Sequence, residues 1–193
     1  MPLGERLRIH IAIDEGTYAP ELVSAIRNEA PSNIDIEVMH PLRESVSEIL
    51  RSAAFISISF FFGKKLLGPS LDVVGEYLAD VVRRILRIRK QEQPLTVAVV
   101  VNKIAVVTRL KAEDFIRAET REEFFENLKA MIESELANFE QLNAESVMLD
   151  YSTDSHAFTP VELRPVNFLE AKIWYEWDDG ANTWKRKTLG GKT

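Results

Sequence analysis

The run from Pro69 to Lys90 sets the strongest limit on the fold. Leu71, Val74, Leu78, Val81, Ile85 and Ile88 recur at spacings of three and four, which puts six branched side chains on one stripe of a helix. Burying all of them is worth roughly 9–18 kcal/mol before entropy, an upper bound. A chain with such a stripe has to lay it against something. Ser70 is placed to cap the first turn. Asp72, Glu76 and Asp80 come early, and Arg83, Arg84, Arg87, Arg89 and Lys90 come late, the order a helix dipole favours. Asp80 is expected to pair with Arg84 one turn on, and Pro94 lies beyond as a stop. The stripe lasts only about three heptads, the lower limit for a coiled coil. Packing on the chain's own sheet is the commoner use of such a face. Contact with a partner chain is the other, with Leu78, Val81 and Ile85 as candidate contact residues. The arginine cluster reads as a solvated helix end.

Just before it, residues 52–63 read SAAFISISFFFG and carry no charge. Twelve residues are too few to cross a bilayer as a helix, which needs about 20. Ile56, Ile58 and Phe60 alternate with Ser57 and Ser59, as in a buried strand. Val46, Ile49, Leu50 and Ala53 suit a helix over about 42–54 that the run could continue. Periodicity does not separate strand from helix in so short a run. Buried core is the preferred reading; membrane contact through residues 52–67 is an alternative.

The same alternation marks strands elsewhere. Leu7, Ile9, Ile11 and Ile13 alternate with Arg8, His10 and Ala12; Ile34, Ile36 and Val38 alternate with Asp35 and Glu37. Between them Pro20, Leu22, Val23 and Ile26 suit a helix that ends at Pro31. A strand–helix–strand unit of this length is expected to place its strands parallel. Thr96–Val101 and Ile104–Thr108 are β-branched runs around Asn102-Lys103, a hairpin turn because Asn tolerates positive φ. Thr120-Arg121-Glu122-Glu123 has the form of a capping box. It opens a helix with Phe125, Leu128, Ile132, Leu136 and Phe139 on one face. Residues 150–165 are polar, with two prolines and no clear period. Ile173–Trp177 and Thr183–Arg186 then face each other across Asp178–Asn182 as a second hairpin, which holds all three tryptophans.

The fold expected is α+β: helices in one layer on a mixed sheet of four or five strands, with a C-terminal β-hairpin extension. Residues 1–142 form the mixed domain, and 143–193 the extension and tail. The 193 residues are 46% hydrophobic, enough for a real core. A net charge of −6 argues against general nucleic-acid binding. The lack of cysteine removes disulfides, thiolate catalysis and Cys-ligated zinc. With no signal-peptide core in the first ten residues, it points to the cytoplasm.

Few residues invite chemistry. Asp14-Glu15-Gly16-Thr17 follows a strand and opens a helix, the position where open α/β sheets bind ligands. Asp14, Glu15 and Thr17 are therefore candidate ligand-binding residues for an enzyme or sensor, although two carboxylates there also serve the helix dipole. His10 reads as a surface histidine. Asp150–His156 gathers oxygens and an imidazole but lacks the glycine and terminal glutamate of a calcium loop. Gly190-Gly191-Lys192-Thr193 ends like a phosphate loop, yet position 186, where that pattern needs glycine, is arginine. No catalytic, metal or cofactor signature stands. Trp174, Tyr175, Trp177 and Trp184 beside Lys185, Arg186 and Lys187 suit sheet packing first, then a protein contact, then stacking on single-stranded nucleic acid.

The order of elements over about residues 7–139, the Gly68-Pro69 break and the VAVVVNKIAVV hairpin resemble the effector-associated constant components. These are small adaptor domains linked to bacterial conflict systems. The resemblance implies a non-catalytic coupling module. The bulky apolar block and the aromatic C-terminal hairpin depart from that pattern. The function expected is a non-enzymatic interaction module whose partner is another protein or another copy of itself.

Overall fold

The computed structural model describes residues 7–13, 20–32, 34–39, 56–62, 70–89 and 94–189. The elements are β1 (Leu7–Ile13), α1 (Pro20–Asn28), β2 (Ile34–Met39), β3 (Ile56–Phe62), α2 (Ser70–Arg89), β4 (Pro94–Val101) and β5 (Ile104–Lys111), followed by α3 (Ala112–Ile116), α4 (Ala118–Gln141), β6 (Ala144–Ser152), β7 (Ala157–Pro165), α5 (Phe168–Ala171), β8 (Ile173–Asp178) and β9 (Thr183–Thr188). The class is α+β, as the sequence predicts. The sheet is larger than the four or five strands expected. Among the described residues it has nine, in the order β2-β1-β3-β4-β5-β6-β7-β8-β9, and it is mixed. β1 and β2 are parallel, as a strand–helix–strand unit requires.

One face of the sheet shares a core with the helices. Ile9, Ile11, Ile58, Val97, Val99, Val106, Val147 and Leu163 meet Ile26 of α1, Leu78, Val82 and Ile85 of α2, and Phe124, Leu128, Ile132 and Phe139 of α4. The stripe of α2 is therefore spent on the chain's own sheet. Leu78, Val81 and Ile85 are 0, 3 and 1% exposed. This corrects their candidacy as contact residues: the sheet beneath α2 already covers them. Seven residues of the apolar block, 56–62, form β3, an interior strand between β1 and β4, with Ile58 fully buried. The strand reading holds there. The helix expected over 42–54 lies outside the described residues. Among the described residues, no helix is long and apolar enough to cross a membrane.

The Asn102-Lys103 turn forms as expected, with φ of 49° and 70°, and sets β4 against β5 with Val101 opposite Ile104. Asp80 pairs with Arg83 rather than Arg84. Arg84 is drawn instead to both carboxylate oxygens of Glu29, just past α1, because a guanidinium fork matches a carboxylate.

The capping box does not form. α4 begins at Ala118, with Arg117 at its N-cap and no side-chain cap. Arg121 is 4% exposed and turns inward. Its Nη1 donates to the carbonyls of Phe115 and Ile116, each at 3.2 Å, and its Nη2 to Glu76 on α2. One guanidinium thus satisfies the C-terminal carbonyls of α3 and ties α2, α3 and α4 together. Gly75 makes room for it: a Cβ there would stand 2.9 Å from Arg121 Nε.

β6 and β7 are the strands the sequence reading did not anticipate. β6 is parallel to β5, and β7 antiparallel to β6. The prolines of β7 sit where the ladder is irregular: Pro160 pairs with Leu149 beside one register shift and Pro165 with Ala144 beside another. Bulges are where a strand tolerates proline. The boundary expected at 142/143 falls in the α4–β6 turn, and backbone pairing runs across it into the same sheet.

Candidate contact surface at the C-terminal hairpin

β8 and β9 pair in register from Ile173↔Thr188 to Asp178↔Thr183. The turn is held by Asp178 Oδ1, which accepts from Gly180 N at 3.0 Å and Ala181 N at 3.3 Å, and by Asn182 at φ 49°. β8 joins the main sheet through Glu162↔Glu176 and Leu163↔Tyr175. Alternation then divides the hairpin into two faces.

One face carries Tyr175, Trp177 and Trp184. Tyr175 and Trp184 pack on the core, Trp184 edge-on to Phe139 of α4 at 6.4 Å and to Trp177 at 5.2 Å. This is the cross-strand packing that aromatic pairs favour. The other face carries Trp174, Glu176, Asp178, Lys185 and Lys187. Trp174 Nε1 donates to Glu176 Oε1 at 3.1 Å; Lys187 meets Glu176 at 3.1 Å, and Lys185 pairs with Asp178. The indole N–H and then the Lys187 ammonium hold the Glu176 carboxyl below its usual range. Lys185, followed by the backbone N–H of Ala181, does the same for Asp178. Glu176, Asp178, Lys185 and Lys187, with Trp177, Asp179 and Gly180, line an open groove of about 330 Å³.

Of the four aromatics named from sequence, Tyr175, Trp177 and Trp184 are thus placed on one face and Trp174 on the other, and each is partly buried. Three apolar residues that sequence reading missed lie beside them. Val166, Leu169 and Leu189 are 62, 81 and 65% exposed, the large hydrophobics left in solvent among the described residues. Val166 precedes α5, Leu169 lies in it and Leu189 follows β9. Val166 N donates to Asn143 O, which ties the end of β7 to the α4–β6 turn, and Leu189 N donates to Lys172 O just past α5, each at 3.0 Å. Lys172 takes φ 51° to end α5, and Arg164 lies 4.9 Å over the Phe168 ring. The only sequence signal was isolated apolar residues in polar surroundings, without a period.

Asp14, Glu15 and Thr17 lie outside the described residues. His10 Nε2 is 3.3 Å from Glu37 on the neighbouring strand. His156 is held between Glu123 and Tyr151, with Nδ1 at 2.9 and 3.1 Å, while its carbonyl accepts from Asn127. That clasp closes the β6–β7 turn over an aromatic cluster of Phe124, Tyr151 and Phe158. A hollow of about 220 Å³ between α1 and α2 is crossed by Tyr77, whose hydroxyl donates to Ile26 O at 2.5 Å. Burial, with Glu29 nearby, pushes this phenol up to about 12. Among the described residues, no group of three or more potential ligands is placed to hold a metal ion. Comparison with protein families, with characterised proteins and with solved structures finds no match.

Proposed function

We propose that this chain is a non-enzymatic protein-interaction module, an adaptor that meets its partner at the corner built from α5, the end of β9 and the aromatic hairpin. The exposure of Val166, Leu169 and Leu189 carries the reading: Val166 and Leu169 lie three residues apart at α5, Leu189 is bonded to the residue that ends it, and exposed apolar surface grouped in one region marks contact sites more often than scattered residues do. Tyr175, Trp177 and Trp184 support it as rigid aromatic backing, the residue types that dominate contact energies. A coupling role of the kind implied by effector-associated adaptor domains would use such a corner.

The test is co-purification from the native host with the wild-type chain and with a Leu169→Asp/Leu189→Asp variant. Both side chains are exposed, so the variant is expected to keep the wild-type circular dichroism and to lose the bound protein. A folded variant that retains the same partner, or a wild-type chain that is monomeric and captures nothing, defeats the reading.

A further inference from the structure

Among the described residues the sheet ends in two edge strands of opposite charge. β2 reads IDIEVM, with Asp35 and Glu37 exposed; β9 reads TWKRKT, with Lys185 and Arg186 exposed and Lys187 partly so. Both strands have six residues. Arg186 stands across from Tyr175 on the helix side; the other charges share a face. The register row that starts at Glu37 passes through His10, Val107 and Glu176 and ends at Lys185, so both lie on the face away from the helices. Five of the eight strand pairings between β2 and β9 are antiparallel, an odd number, so β9 runs opposite to β2.

We propose that copies of this chain associate head to tail, β9 of one adding to β2 of the next as an antiparallel strand. A second copy in the same orientation continues the sheet, keeps its helices on the same side and sets Lys185 and Lys187 beside Asp35 and Glu37 of that copy. Opposite charges on neighbouring strands stabilise a pair, whereas like charges directly opposed destabilise it. Pairing β9 with β9, or β2 with β2, opposes like charges, so charge selects the heterologous contact over the two-fold one. An ammonium has three donors, which lets Lys185 keep Asp178 while meeting an incoming carboxylate. A heterologous contact does not stop at two copies: it closes into a ring or runs on as a filament. This gives the interaction module a partner, its own kind, and rests on that reading.

The test is sedimentation of the full chain over a concentration series, at low ionic strength and in high salt. The expected mass rises above the dimer at low salt and returns toward 22.0 kDa in high salt, where exposed charges are screened. Lys185→Glu/Lys187→Glu and Asp35→Lys/Glu37→Lys each put like charges at the contact, so each variant alone stays monomeric. Mixed in equal amounts, they assemble again, which also shows that both are folded. Should the first lose its hairpin, Lys185→Gln/Lys187→Gln is expected to need about tenfold more protein to assemble, the two lost pairs together being worth roughly that factor. A wild-type chain at 22.0 kDa throughout, a mass that saturates at a dimer, or folded charge variants that assemble like wild type overturns the proposal. The two surfaces fail separately. Loss of self-association with Leu169-dependent capture intact removes only the edge contact, and the converse removes only the corner.

Discussion

Two hairpins of this sheet are built on the same turn chemistry and put to opposite uses. β4–β5 turns through Asn102 and Lys103, and β8–β9 through Asp178–Asn182, each with asparagine in the left-handed region. The first is covered on both faces: Val97, Val99 and Val106 lie in the main core, and Ala98 and Val107 are buried on the reverse. The second is fastened by one face, through Trp184 on Phe139, and keeps the other charged. Burial on two faces fixes a hairpin as scaffold. Burial on one leaves a surface that the scaffold holds still.

The contrast is broken most completely at Phe139, which belongs to the core and also fastens the second hairpin. Phe139→Ala is expected to cost about 3–5 kcal/mol by denaturant titration. Tryptophan fluorescence should change with it, since the three tryptophans lie in the hairpin. A cost under about 1 kcal/mol would mean that α4 does not fasten the hairpin. A smaller effect sharpens the two faces. Trp184→Ala is expected to cost about 1–3 kcal/mol, below the fully buried value because the ring is half-exposed, whereas Trp174→Ala on the charged face should stay within about 0.5 kcal/mol. Equal costs would erase the distinction. The smallest effect is in acid. Glu176 and Asp178 have lowered folded pKa values, so their contribution is present above the unfolded carboxylate range and is lost as pH falls through the folded values. Tryptophan emission should therefore shift at the acid end before far-ultraviolet circular dichroism does, and Lys185→Gln should move that shift to higher pH. No movement would mean the Lys185 pair does not hold the hairpin.

Much of this division was legible in the sequence, and where it was not the reason is physical. β4, β5 and the buried face of α4 follow from period and composition, because burial on a sheet or helix imposes a repeat. β6 and β7 escaped because Pro160 and Pro165 read as breakers, although each sits beside a register shift where a lost N–H costs the ladder least. The stripe of α2 predicts burial correctly but does not say what buries it: the chain's own sheet was the commoner reading, and another chain stayed open for Leu78, Val81 and Ile85. The exposed corner left still less trace. Val166, Leu169 and Leu189 have no shared spacing, and only folding brings them to one place.

Arg121 and Gly75 carry a last consequence, for how this chain can vary. The guanidinium occupies the space that any larger residue at position 75 would take. Alanine there would demand a shorter or repositioned side chain at 121, which would strip the Phe115 carbonyl of its side-chain donor and leave that of Ile116 only the 3.4 Å bond from Arg83 Nη2. The two positions, forty-six residues apart, can drift only in step. In divergent copies of this fold the pair should be inherited together or exchanged together.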